Sequence, residues 1–243
     1  MPEGPSIVIL KDALSHFKGK KVLEASGYAK INLLQLKGKK ITAIKSWGKH
    51  LLICFKNFTI RIHLLLFGTY RINDRKTSNP TLRLSFEKDE LNFYTCAVNI
   101  IDEPLDEVYD WEIDLLSDQW NAKKVMKQLK KVPGMLVCDA LLNQDIFAGS
   151  GNIIKNEVLF RIHLHPLSKV GKLPLKKKKE LILEARQYSF DFLAWKKAFV
   201  LKQHWLAHTR KTCPRCHIPF IKEYLGTTRR RSFFCSNCQF LYD

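Results

Sequence analysis

Two Cys-x-x-Cys pairs, Cys213-Pro-Arg-Cys216 and Cys235-Ser-Asn-Cys238, lie 18 residues apart near the C-terminal end of the sequence. Each pair sets two thiols on one tight turn, and two such turns brought together offer four sulfurs to a tetrahedral ion. The spacing predicts a hairpin built around one structural zinc ion, with Cys213, Cys216, Cys235 and Cys238 as ligands. A redox pair and an iron–sulfur cluster are the rival uses of the same spacing. A segment of some thirty residues buries too little apolar surface to fold alone, so the metal would supply its folding free energy. His217 follows directly, but four thiolates complete the shell and His217 reads as a surface residue. The other cysteines, Cys54, Cys96 and Cys138, stand singly in apolar surroundings and read as reduced core positions.

Upstream of this module the chain changes character twice. Pro5 suits the first turn of a helix, and Ile7, Leu10, Leu14 and Phe17 recur at helical spacing up to Gly19. From Val22 to about Asp102 the pattern is short alternating strands: Ile41–Trp47, Leu51–Phe55, Thr59–His63, Thr69–Ile72, Thr81–Phe86 and Leu91–Cys96. Antiparallel strands at this spacing predict a β-sandwich or flattened barrel. An acidic stretch, Asp102 to Asp118, leads out of it. Helical periodicity follows through Val125, Met126, Leu129 and Val132, then Leu136, Ala140 and Leu141, then Ile153 to Arg161, then Lys176 to about Trp195. The fold class expected is α+β. An N-terminal β-sandwich domain with a leading helix occupies 1–118, a helical domain 119–205 and the zinc finger 206–243.

The charge narrows the partner. Lys and Arg number 41 against 23 Asp and Glu, a formal net charge of +18. The basic residues are spread along the whole chain, which favours a broad contact with a polyanion, nucleic acid or an anionic membrane surface. No apolar run is long enough to span a bilayer, and no charged-then-apolar leader opens the chain. The protein is expected in the cytoplasm, in a bacterial setting.

Three further stretches carry chemistry. Met1 is usually removed when Pro follows, which would leave Pro2 with a free secondary amine beside Glu3. An α-amino group has a pKa of about 7.7–8, so it is nucleophilic at neutral pH without burial. Attack by a secondary amine on a carbonyl-level carbon gives a permanently cationic iminium, a strong electron sink. Ala148-Gly149-Ser150-Gly151-Asn152 precedes a helix, and its glycines would let backbone approach a phosphate, with Asn152 as an N-cap in the plainer alternative. Leu64-Leu65-Leu66-Phe67 is the most apolar stretch and, by pattern, a buried strand. Between the Cys pairs, Arg229, Arg230 and Arg231 form a basic cluster suited to phosphate.

The order of these parts resembles the formamidopyrimidine-DNA glycosylase/endonuclease VIII family: Met1-Pro2-Glu3-Gly4-Pro5, a strand-rich domain, a helical domain with the AGSGN stretch, and a four-Cys finger with Arg on its hairpin. The resemblance covers essentially the whole chain, and Gly4 is similar to the endonuclease VIII branch. It implies a helix–two-turn–helix domain that binds damaged double-stranded DNA. Pro2 would be the nucleophile and Glu3 its acidic neighbour. Lys49, His63, Asn152 and Arg230 would contact phosphates at the lesion. Glu157 would position groups or handle protons, so that Pro2, Glu3, Lys49 and Glu157 form the catalytic set. Leu65, Leu66 and Phe67 would fill the gap left by a flipped nucleotide.

Two departures qualify what the resemblance implies. Ser6 stands where the family usually has Glu, and the short interval between Trp195 and Cys213 has no room for the lesion-capping loop of the purine-excising branch. The expectation is therefore a monomeric bifunctional DNA glycosylase/AP lyase of base excision repair that removes oxidised pyrimidines, with one structural zinc. Excision of oxidised purines by the same chemistry, and a non-catalytic zinc-ribbon DNA-binding protein, are the alternatives.

Overall fold

A computed structural model describes residues 2–243. The chain divides into two compact units: residues 2 and 6–110 form the first, residues 3–5 and 111–243 the second.

The first unit is organised by helix α1 (Gly4–Ala13), continued by a short 3-10 turn at Ser15–Phe17. Pro5 sits in the first turn, where its missing N–H has no partner to lose. Ile7, Leu10, Leu14 and Phe17 are completely buried, as their spacing predicts. They pack with two four-stranded antiparallel sheets into one apolar core. The first sheet has the order β1 (Glu24–Ser26), β6 (Leu82–Ser85), β7 (Glu90–Tyr94), β5 (Thr69–Ile72). The second has the order β2 (Ala43–Trp47), β3 (His50–Cys54), β4 (Thr59–His63), β8 (Ala97–Ile101). The expected sandwich is present. Two strands lie outside the sequence expectation. β1 is only three residues long, and β8 follows β7 almost without a break. Thr95, in the left-handed region at φ 52°, turns the chain from one sheet to the other there.

A short helix α2 (Leu105–Val108) closes the first unit, and in the second unit Asn121 caps helix α3 (Ala122–Lys130) by accepting from the N–H groups of Lys123 and Lys124. Helix α4 (Val137–Ala140), two turns within residues 141–151, and helix α5 (Asn152–Arg161) give a helix, two turns and a helix. Helix α6 (Leu175–Lys197) packs on α5. Arg161 links the two: it lies 3.8 Å from Glu157 and 3.9 Å from Glu184, with its guanidinium over Tyr188. Strands β9 (Ile221–Leu225) and β10 (Arg230–Phe234) form the hairpin between the Cys pairs. Phe160, at the end of α5, packs into the same small core as Cys213 and Cys235.

Candidate active site

The N-terminus of α5 has an unusual cap. The first N–H groups of a helix have no partner within it, and the N-cap residue here, Gly151, has no side chain to offer. Glu3 supplies the acceptors from the far end of the sequence. Its Oε1 accepts from the N–H of Ile153 at 2.7 Å and its Oε2 from that of Ile154 at 3.2 Å. The carboxylate is fully buried, and a helix N-terminus is a favourable place for it. The next N–H, that of Gly4, donates to the carbonyl of Gly149 at 2.8 Å. Both approaches need glycine. A Cβ on Gly4 would lie 2.9 Å from the Cα of Gly149, and one on Gly151 would lie 2.4 Å from the Cδ of Glu3. The AGSGN stretch thus gives its close approach first to the protein's own N-terminal segment. Pro2, one peptide bond from Glu3, is half-buried.

The rest of α5 is built around three consecutive buried polar residues, Lys155, Asn156 and Glu157. Asn152 is the first helical residue, not the N-cap, and its Nδ2 donates to the Arg231 carbonyl at 3.0 Å. Lys155 Nζ donates to the same carbonyl at 3.2 Å and to Ser232 Oγ at 2.8 Å. Asn156 donates to that carbonyl at 3.2 Å and accepts from the N–H of Phe233 at 3.0 Å. Glu157 faces elsewhere. Its carboxylate accepts from the N–H groups of Leu206, Ala207 and His208 at 2.7–3.1 Å, which fixes the segment leading into the Cys-rich module. At the hairpin tip Asp139 accepts from the N–H groups of Thr227 and Thr228 at 3.0 and 3.3 Å. Arg230, half-buried, opens β10 immediately after this tip. Composition and motifs do not single out Lys155, Asn156 or Asp139. The available signal was the Asn-x-x-Lys-Asn spacing, which puts three donors on one helix face.

The first unit carries the other candidates. Trp47 pairs with His50 across a two-residue turn, Gly48-Lys49, with Gly48 at φ 52°. This turn presents Lys49 at the end of the second sheet. His50 pairs with His63 in the neighbouring strand, their rings edge-on at 5.4 Å, and the His50 Nδ1 lies 3.1 Å from the Tyr109 hydroxyl. Burial, with His63, Arg61 and Lys49 nearby, lowers the pKa of His50 to about 4. Burial, Lys49 and Arg61 also lower that of His63. Both imidazoles are therefore neutral at neutral pH, and His63 can offer an N–H but not a charge.

Immediately after His63 the chain leaves the sheet. Leu64 is buried, but Leu65, Leu66 and Phe67 are 46%, 41% and 79% exposed. The buried strand suggested by the apolar pattern is not formed. The segment is a turn, with Leu65 at φ 51° and the Gly68 N–H on the Leu64 carbonyl at 2.7 Å. A Cβ on Gly68 would lie 2.0 Å from that carbonyl oxygen, so the turn requires glycine there.

The four sulfurs of Cys213, Cys216, Cys235 and Cys238 lie within 4.8 Å of one another, and the Cys213–Cys238 pair is at 3.8 Å. Tetrahedral zinc with bonds of about 2.3 Å separates its sulfurs by about 3.8 Å, so the donor set fits. The Asn237 amide donates to the Cys216 sulfur at 3.3 Å, as outer partners of metal thiolates do. His217 is exposed, at φ 57° in the turn that follows Cys216.

Residues 1–96 match the formamidopyrimidine-DNA glycosylase N-terminal domain. Endonuclease 8-like 3 of Mus musculus is 30% identical over 223 residues, covering 88% of this chain and 36% of the relative. Endonuclease 8-like 2 of Bos taurus is 30% identical over 197 residues, covering 74% of this chain and 58% of the relative. The chain belongs to the formamidopyrimidine-DNA glycosylase/endonuclease VIII family, on its endonuclease VIII-like side. The family fold extends through both units. A Lactococcus lactis formamidopyrimidine-DNA glycosylase, solved non-covalently bound to DNA containing an AP site, superposes with a TM-score of 0.85 at 21% identity, covering 98% of this chain and 99% of that one. The chain spans 36% of the length of the mouse relative. Both curated relatives named here are animal proteins, which lends the expected bacterial setting no support. Among the described residues no helix is long and apolar enough to cross a membrane.

Proposed function

We propose that this chain is a DNA glycosylase/AP lyase of base excision repair that acts, as a monomer, on oxidised pyrimidines in duplex DNA. The observation that carries the reading is the seating of Glu3 on the N-terminus of α5. It anchors the segment next to Pro2, where a chain end would ordinarily fray. In this reading Met1 is removed. The Pro2 nitrogen loses its proton to the Glu3 carboxylate and attacks C1′ of an extruded nucleotide, as the bond from C1′ to the base breaks. That proton passes to the leaving base; the amine's second proton, released after attack, passes to O4′ as the C1′–O4′ bond breaks and the nitrogen lone pair forms the iminium. The resulting iminium acidifies the C2′ hydrogens. Loss of one of them expels the 3′ phosphate, and a second elimination releases the 5′ phosphate.

The surrounding roles follow the same assignment. Lys49, Asn152 and Arg230 grip the phosphates beside the lesion, and His63 donates a neutral hydrogen bond there. Leu65, Leu66 and Phe67 occupy the vacated position in the duplex. Glu157, with both oxygens on backbone N–H groups, is a positioning residue. Zinc at the four cysteines would brace the hairpin that carries Arg230. The three modules, 1–118, 119–205 and 206–243, serve as catalytic, DNA-binding and zinc-finger parts. The short segment between α6 and Cys213 favours pyrimidine lesions.

Borohydride trapping across duplexes containing an abasic site, thymine glycol, dihydrouracil or 8-oxoguanine tests the reading. Adducts with the abasic and pyrimidine lesions, lost when a residue is added before Pro2, are expected. Trapping on 8-oxoguanine alone would make it an oxidised-purine enzyme. No adduct on the abasic duplex, with Pro2 shown free by mass spectrometry, would leave a zinc-ribbon DNA-binding protein.

A further inference from the structure

Three side chains converge on one backbone oxygen. The Arg231 carbonyl accepts from Asn152 at 3.0 Å, from Lys155 at 3.2 Å and from Asn156 at 3.2 Å. A carbonyl has two lone pairs, so three donors are more than its ordinary complement. The reason lies in the hairpin. Among the described residues β10 has β9 along one edge only, and a strand edge left without partners is unfavourable when buried. The Arg231 carbonyl and the Phe233 N–H are two residues apart and share the open edge. Asn156 takes both, as a neighbouring strand would.

Lys155 is the costly member of this group. Its side chain is completely buried, and its ammonium donates to the Arg231 carbonyl and to Ser232 Oγ. Burial, with the like charge of Arg230 adding to it, lowers its pKa to about 8 against the opposing pull of Cys138, Asp139 and Glu3. A neutral amide could bridge to one carbonyl. A cation is also stabilised by the field of two buried carboxylates, Glu3 capping α5 and Asp139 capping the hairpin tip. Its burial equally excludes it as a spare amine nucleophile.

We propose that Lys155 is a positioning residue that registers the Arg-bearing hairpin on α5, so that Arg230 and Glu3 are held by the same helix. The assignment rests on the phosphate-gripping role of Arg230 given above. It is tested by a double-mutant cycle of Lys155→Met and Arg230→Ala, read as binding to a duplex with a tetrahydrofuran abasic analogue and as single-turnover strand cleavage of an abasic duplex. Each single substitution should weaken binding about tenfold and lower the salt dependence by about one phosphate contact. If Lys155 acts through Arg230, the double variant should also lose only about tenfold. For Lys155→Met the deficit should fall on KM, with the rate at saturating enzyme within about threefold of the parent; a merely destabilised fold would reduce the active concentration and leave the salt slope unchanged. A double variant weakened about a hundredfold, or an unchanged salt slope in Lys155→Met, would overturn the proposal. If Lys155→Met does not fold, the same cycle is run with Ser232→Ala, which removes the 2.8 Å partner of the ammonium. Failure of the parent protein to trap on abasic DNA would instead overturn the functional reading and leave the binding cycle interpretable.

Discussion

A Cβ placed on Gly151 would lie 2.4 Å from the Cδ of Glu3. Residues 148 positions apart therefore constrain one another: the helix can be capped from the N-terminal segment only because its own N-cap has no side chain. Gly151→Ala should displace the Glu3 carboxylate and free the segment beside Pro2. Loss of a cap costs about 1–2 kcal/mol, and misplacing a reacting group by about 1 Å can cost about a hundredfold in rate. Thermal unfolding and single-turnover trapping should show both losses. Gly134→Ala is the control, because a Cβ there meets nothing within 4 Å. Equal effects from the two substitutions would mean that the Glu3 contact has no special weight.

The exposed Leu66 and Phe67 should behave oppositely to core residues. Ala at either position should change stability by no more than about 0.5 kcal/mol, because neither side chain is buried. If they fill the space of a flipped nucleotide, binding to an abasic duplex should weaken about tenfold, on the scale of one lost base stack. Binding to an undamaged duplex should not change. A Phe67→Ala protein that binds both duplexes as the parent does would remove the segment from the lesion contact.

The sequence and the structure agree most closely where periodicity or spacing carries the information. Ile7, Leu10, Leu14 and Phe17 declare their buried face by helical repeat, and the two Cys-x-x-Cys pairs declare a tetrahedral donor set. What periodicity cannot show is which polar side chain serves which distant backbone group. Glu3 gives no local sign that it caps a helix beginning at Asn152, and Lys155 reads as one more lysine in a basic chain. The apolar run 64–67 misleads for a related reason. Pattern records that its residues are apolar, while the turn closed by Gly68 decides that Leu65 to Phe67 face outward.

The four-Cys cluster makes a stoichiometric prediction. Mercurial displacement of the thiols should release one zinc per chain, measured with a chromogenic chelator. Cys235→Ser should abolish that release and disorder the hairpin, because the cluster and Phe160 form a single small core. DNA affinity should fall with it, since Arg230 lies on that hairpin. Retained metal stoichiometry in Cys235→Ser would exclude the four-thiolate site.

Acid should destabilise the fold before its carboxylates begin to titrate. Burial lowers the pKa of both His50 and His208 from 6.5 to about 4, and it lowers those of His63 and His165 in the same direction. Between about pH 6.5 and 4 the unfolded chain binds protons that the folded chain refuses. The unfolded state is thus favoured as pH falls, and stability rises with pH through that window. Above pH 7 these imidazoles are neutral in both states and contribute no slope. Each fully refusing histidine adds about 1.4 kcal/mol per pH unit inside the window. Urea unfolding at pH 7.5, 6.5, 5.5 and 5.0 should therefore show a plateau and then a decline. His208→Gln should reduce the slope by about one proton, although its Nδ1, 3.3 Å from Asn156, joins the network beside the hairpin. The same slope in parent and variant would mean that His208 takes up its proton without opening the fold.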